Sequence, residues 1–70
     1  MIPLPFADTG EENIIQRVGG SPETKKHLED LGFVVGGGVT VLSTIHGDLI
    51  VSVKGSRVAI DRKMAEKIMI

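Results

Sequence analysis

The chain has 70 residues, a formal net charge of −1 at pH 7, no cysteine and only two aromatic residues, both phenylalanine. This length supports one domain, residues 1–70, whose small core no disulfide or thiolate-bound metal can supplement. A nucleic-acid partner is not expected, because that binding needs a basic surface and often aromatic stacking. No apolar run approaches the roughly 20 residues that span a bilayer, and the N-terminus has no basic signal region, so a cytoplasmic protein is expected.

Two strands are predicted before residue 20. Residues 1–6 alternate apolar side chains with Pro3 and Pro5. Because proline cannot donate a hydrogen bond to a neighbouring strand, this segment can be only an edge strand. Residues 12–18 are predicted to form the second strand, and the adjacent Ile14 and Ile15 leave its inward face open.

The clearest helix signal begins at Ser21, which can cap the free amides of a helix whose first residue is Pro22. The helix is predicted to run to about Leu31, where Gly32 ends it in a left-handed conformation. Its inward stripe is predicted to consist of Thr24, Leu28 and Leu31. Phe33 follows the helix end directly and is predicted to fill one end of the core.

Residues 38–61 form the body of the predicted fold, because apolar and polar residues alternate there in three runs. This pattern predicts a three-stranded antiparallel meander with one buried face. The first connection is predicted to be the three residues His46-Gly47-Asp48, with a bulge beside the glycine. The second is predicted to be Gly55-Ser56 in a type II′ turn.

The last ten residues predict a short helix and a strand. Asp61 can cap a helix from Arg62 to about residue 67, with Ala65 and Ile68 facing inward. Residues 68–70 are then predicted to lie beside the first strand. Five or six short strands with one or two short helices give an all-β fold, a small closed or partly closed barrel.

Few residues suggest chemistry. Glu23, His27 and Asp30 share a helix face, which could bind a divalent metal or simply be a solvated surface. His46 and Asp48 lie at a hairpin tip, where turn chemistry and function are both common reasons for such residues. No serine has a base and an acid grouped near it in the sequence, so an enzyme is not expected.

Residues 28–36 resemble the Leu-x-x-Leu-Gly-Phe/Met-x-x-Gly signature of the FeoA family, with Leu28, Leu31, Gly32, Phe33 and Gly36 in the matching places. The resemblance continues, in order and with the right spacing, through residues 39–42, 47–51 and 57–60 to residue 65. One departure is the Leu49 that follows Gly47-Asp48, where many members have proline; this departure is expected to loosen the turn without changing the fold.

The resemblance implies an SH3-like small barrel and a cytosolic accessory protein of ferrous iron uptake. Its partner would be the membrane transporter FeoB, which carries a cytosolic G-protein region. No resident cofactor is implied. Related modules form the C-terminal domain of iron-dependent repressors, so the alternative is a metal-sensing module that uses Glu23, His27 and Asp30.

The interaction surface is predicted to combine two loop regions, because loops on a rigid scaffold tend to recognise partners. Its members are Leu31, Gly32 and Phe33 at one corner and Gly47, Asp48, Leu49 and Ile50 at the hairpin tip. Leu42 and Ile50 lie opposite the main apolar stripes, where they could mark an interface or be covered by the helices. An edge strand also makes a weak homo-oligomer conceivable.

Overall fold

The alternating residues of the chain's middle form three antiparallel strands in the computed structural model, which describes residues 1–70. We number the strands and α-helices in chain order and call the first element the 3₁₀ turn. The elements are the 3₁₀ turn Leu4–Phe6, β1 Glu12–Ile14, β2 Arg17–Val18, α1 Pro22–Asp30, β3 Gly38–Ile45, β4 Asp48–Val53, β5 Ser56–Ile60, α2 Arg62–Ala65 and β6 Ile68–Met69.

Two antiparallel sheets organise these strands. The larger has the order β1-β3-β4-β5, and the smaller pairs β2 with β6. The C-terminal residues also return to the N-terminal segment: Ile2 and Ile70 exchange two backbone hydrogen bonds of 2.8 Å each, and Pro3 bridges Met69. The predicted pairing of the last strand with the first segment is therefore confirmed, as is a mainly β fold with two short helices.

One apolar core fills the space between the sheets and the helices. It contains 13 buried hydrophobic residues and no buried polar or charged residue. The meander supplies alternate residues, as its pattern predicts, and α1, α2 and the loops supply the rest. The core residues are Leu4, Ile15, Val18, Leu28, Phe33, Val39, Val41, Leu49, Val51, Val53, Ile60, Ala65 and Ile68.

Both helices begin with the predicted caps. The Ser21 hydroxyl accepts a hydrogen bond from the Thr24 amide at 3.2 Å, and the Asp61 carboxylate accepts one from the Met64 amide at 2.8 Å. Gly32 follows α1 with a φ of +110°, the region that favours glycine. The helix α1 therefore ends here because Gly32 takes a left-handed conformation, which glycine adopts without strain.

The connection between β3 and β4 differs from the prediction. Ile45 pairs with Asp48, so the link is the two residues His46 and Gly47, both with positive φ as in a type I′ turn. The register shift of this pair lies farther along the strand, between Val41 and Ser43, and not beside the glycine. The three-residue link is therefore wrong, because His46 itself takes the left-handed conformation, with a φ of 52°.

The connection between β4 and β5 is also one residue away from the prediction. Val53 pairs with Ser56, so Lys54 and Gly55 form the turn, and both have positive φ. The predicted Gly55-Ser56 type II′ turn would have placed Lys54 opposite Arg57, and like charges in that position are destabilising. In the observed register Arg57 instead lies opposite the neutral Ser52.

The predicted strand over residues 12–18 is divided between the two sheets. Ile15 leaves the ladder and exchanges backbone hydrogen bonds of 2.8 Å with Gly36 and Gly37. This turn buries Ile15 and leaves Ile14 50% exposed, which settles the inward face. The predicted strand over residues 1–6 is likewise corrected, since Leu4–Phe6 forms a 3₁₀ turn that buries Leu4.

Candidate functional site

The corner after α1 packs against the β4–β5 turn. Phe33 is completely buried and Leu31 half-buried, so the aromatic ring supports the corner from inside. A Cβ built on Gly32 would lie 3.5 Å from the Lys54 side chain and 3.6 Å from that of Val53. The groups that this corner offers to solvent are therefore the exposed part of Leu31 and the neighbouring Lys54.

The His46–Gly47 tip lies beside α2. A Cβ built on Gly47 would be 4.0 Å from Arg62 Cδ. Asp48 is exposed, Ile50 is half-buried, and Leu49 is buried with 1% exposure. Because Leu49 faces the core, it can position the tip but cannot itself contact a partner.

The corner and the tip lie at opposite ends of β4. Six residues, Asp48–Val53, separate the two turns, which corresponds to about 20 Å of extended chain. The structure therefore brings Leu31, Gly32 and Phe33 together at one end and Gly47 and Asp48 at the other. The β5 strand runs between these two ends along the edge of the sheet.

Sequence reasoning missed an exposed aromatic residue next to the tip. Phe6 is 64% exposed, and Arg62 Cζ lies 6.0 Å from the centre of its ring, a distance at which a cation is attracted to the ring face. No pattern marks Phe6 as exposed, because its position depends on the 3₁₀ turn that buries Leu4. The other large exposed apolar residues are Met1, Ile2, Ile14, Val35 and Ile45.

A shallow cavity of about 360 Å³ lies beside α1, and no residue of the predicted interaction surface lines it. Its lining mixes charged, polar and apolar side chains, and they are Gln16, Arg17, Val18, Lys25, Glu29, Val34 and Val35. None of the residues considered for metal binding or for the hairpin tip lines this cavity.

The three side chains of α1 that could bind a metal or simply be solvated are not assembled as a site. The structure contains no group of three or more His, Cys, Asp or Glu side chains that could hold a metal ion. Asp30 instead forms an exposed ion pair with Lys26 at 3.7 Å. Glu23, His27 and Asp30 are all exposed on this helix.

Charge is distributed unevenly along the chain. Residues 54–70 contain five of the eight Lys and Arg residues but only two of the nine Asp and Glu residues. These residues form the β4–β5 turn, β5, α2 and β6. The rest of the chain has three Lys and Arg residues and seven Asp and Glu residues.

A family model described as the FeoA domain matches residues 2–70. The chain belongs to the FeoA domain family. A Methanocaldococcus jannaschii protein provisionally named Fe(2+) transport protein A is 37% identical to this FeoA-family chain over 70 residues, which cover 100% of the chain and 85% of that protein.

Solved FeoA structures share the fold. The crystal structure of an iron uptake regulatory protein, FeoA, is 29% identical with a TM-score of 0.88, over 97% of this chain and 90% of that one. A zinc-bound FeoA from Stenotrophomonas maltophilia, described as a prokaryotic SH3 domain protein and a candidate ferrous iron transport activating factor, is 20% identical with a TM-score of 0.83, over 99% and 88% of the two chains. The predicted SH3-like fold is thereby confirmed.

The same fold occurs within a longer regulatory protein. A manganese-dependent transcriptional repressor is 17% identical with a TM-score of 0.84, over 94% of this chain and 38% of the repressor. At this identity the likeness concerns the fold alone. In the present structure, no helix has the length and apolar character needed to cross a membrane.

Proposed function

We propose that this FeoA-family protein is a cytoplasmic accessory protein of ferrous iron uptake, which acts by direct contact with a FeoB-type transporter rather than by catalysis. The observation that carries the proposal is the 37% identity, over the whole chain, to a protein named for Fe(2+) transport. The FeoA model match over residues 2–70 supports the same role.

The architecture favours a binding role. The interior is filled by apolar side chains, and no buried polar side chain is available for chemistry. What the fold offers to other molecules is its surface: two turns, a half-buried corner and the edges of a sheet. In small barrels these are the parts that usually carry recognition.

We assign the contact to the corner and the tip, with different roles for buried and exposed members. Asp48 and the exposed parts of Leu31 and Ile50 would contact the transporter. Phe33 and Leu49 would position them from the core, where their side chains are 0% and 1% exposed. The two glycines, Gly32 and Gly47, would shape the corner and the tip through their positive φ values.

The test is binding to the purified cytosolic region of the transporter from the same organism, with and without guanine nucleotide. Specific binding that changes with the nucleotide is the expected result. Asp48→Lys should weaken it at least tenfold, because the exposed carboxylate is replaced by a cation. Glu29→Lys changes the charge equally on the exposed face of α1 and serves as the matched control.

Absence of binding in every nucleotide state would refute the proposed contact with this region. Equal weakening by Asp48→Lys and Glu29→Lys would instead show that total charge, and not the tip, controls binding. Circular dichroism of both variants verifies that each retains the fold.

A further inference from the structure

The outer edge of β5 has no partner strand. β5 ends the four-stranded sheet and pairs only with β4. Since Val53 and Ser56 flank a two-residue turn, they form a hydrogen-bonded pair, and such pairs alternate along an antiparallel ladder. Arg57 and Ala59 occupy the intervening positions. Their N–H and C=O groups therefore point away from the sheet, where a further strand could bind them.

The side chains along this edge are accessible and basic. Arg57 and Ala59 are both exposed, and Lys54 and Lys63 are exposed beyond the two ends of the strand. None of the three cations forms an ion pair with a carboxylate. The edge therefore has positive charge that the protein itself does not neutralise.

The two acidic residues of this region are already engaged. Asp61 caps α2 by accepting a hydrogen bond from the Met64 amide, and Glu66 forms an ion pair with Arg62 at 3.4 Å. Neither carboxylate reaches Lys54, Arg57 or Lys63. Carboxylates of another molecule therefore meet no competing carboxylate of this chain at these three cations.

A second copy of the chain is not a suitable partner strand for the β5 edge. Antiparallel pairing of β5 with itself through Arg57 and Ala59 would place the two Arg57 side chains diagonally on one face, within about 7–8 Å. It would also bring together two surfaces with the same excess of Lys and Arg. Like charges at such positions oppose pairing.

We propose that the β5 edge binds an extended acidic segment of a partner protein, which joins the sheet as an additional strand. The edge groups of Arg57 and Ala59 would provide the backbone hydrogen bonds, and Lys54, Arg57 and Lys63 would attract the carboxylates. The small side chain of Ala59 leaves room on the outer face for an apolar residue of the segment, next to Ile50 across the strand pair.

This surface links the corner to the tip. The turn at one end of β5 contains Lys54, which lies against Gly32, and the helix at the other end contains Arg62, which lies beside Gly47. A bound segment of five residues, as long as β5, would run about 17 Å between them. The inference deepens the proposed function, on which it rests only for the identity of the protein that supplies the segment.

The test is an NMR titration of the full chain with a nine-residue peptide in which glutamate alternates with valine and threonine. The amide signals of Arg57 and Ala59 should shift, and their hydrogen exchange should slow, because they become hydrogen-bonded. The same peptide with lysine in place of glutamate should not bind. Raising the salt concentration should weaken binding of the acidic peptide.

Three variants sharpen the result. Arg57→Glu should weaken binding about tenfold, whereas Lys25→Glu on α1, with the same change of charge, should leave it unaltered. Ala59→Pro removes a donor from the free edge without removing one from the β4 ladder, and it should abolish peptide binding. The amide spectrum of each variant confirms that the sheet is retained.

Failure to bind at peptide concentrations on the order of 1 mM would overturn the inference. So would shifts centred on Lys25 and α1, or a concentration-dependent dimer that occupies β5 in place of the peptide. The outcomes also separate the two proposals. Binding of the transporter without binding of the peptide removes this inference alone, whereas binding of the peptide without binding of the transporter removes the proposed function alone.

Discussion

The two phenylalanines provide a direct test of how this small core is stabilised. Phe33 is 0% exposed and Phe6 is 64% exposed, so the same truncation to alanine removes a core side chain in one case and a surface side chain in the other. Phe33→Ala should cost about 3–5 kcal/mol, because it removes buried apolar area and leaves a cavity. Phe6→Ala should cost no more than about 1 kcal/mol, mainly the contact with Arg62.

The size of the chain makes this difference easy to measure. A domain of 70 residues is expected to have a free energy of unfolding of about 3.5–10 kcal/mol, from about 0.05–0.15 kcal/mol per residue. Phe33→Ala should therefore remove about 30% or more of the stability, and it should lower the melting temperature by roughly 4–8 °C for each kcal/mol.

Urea denaturation of the three proteins, followed by circular dichroism, measures both costs. The wild type and Phe6→Ala should have similar midpoints, and Phe33→Ala a much lower one. A loss below about 1 kcal/mol for Phe33→Ala, or equal losses for both variants, would refute the conclusion that Phe33 fills one end of the core.

Three further predictions concern the ends of the elements. Asp61→Ala removes the cap on the Met64 amide and should cost about 1 kcal/mol in thermal denaturation, whereas Asp61→Asn should restore most of it; an unchanged melting temperature for the alanine variant would exclude a capping role. Gly32→Ala should lower the free energy of unfolding in urea denaturation by about 1–3 kcal/mol, because alanine is strained at the φ of +110°. The new Cβ adds no clash, since its nearest neighbouring atom would lie 3.5 Å away. A neutral result would show that the backbone relaxes there. His46→Asn should raise the free energy of unfolding in urea denaturation by about 0.5–1 kcal/mol, since asparagine tolerates the left-handed φ better, and a lower free energy would count against the type I′ turn.

Local patterns were sufficient to predict several elements of this protein. The Ser21-Pro22 start of α1 and the Asp61 cap of α2 depend on contacts within a few residues, so their signals are complete in the sequence. The alternation in the meander similarly identifies its buried face, because the period of two allows only one apolar side. The resemblance of residues 28–36 to the FeoA signature identified the family that the comparison over residues 2–70 shows.

The turns and the N-terminal strands depended on interactions that no short window contains. The register of β5 is set along its length by its pairs with β4, the farthest of which joins Leu49 to Ile60, eleven residues later in the chain. The division of residues 12–18 follows from the hydrogen bonds that Ile15 makes with Gly36 and Gly37, about twenty residues later. These choices are made by partners distant in the chain.

The candidate interaction surface was also predicted from the sequence only in part. The sequence by itself determined the motifs at residues 31–33 and 47–50, and it predicted that Phe33 lies in the core, where its side chain is 0% exposed. Only the tertiary structure placed the two motifs at opposite ends of β4, with the basic edge of β5 between them. The physical reason is that strand register, which depends on long-range pairing, sets both which side chains are exposed and which of them become neighbours.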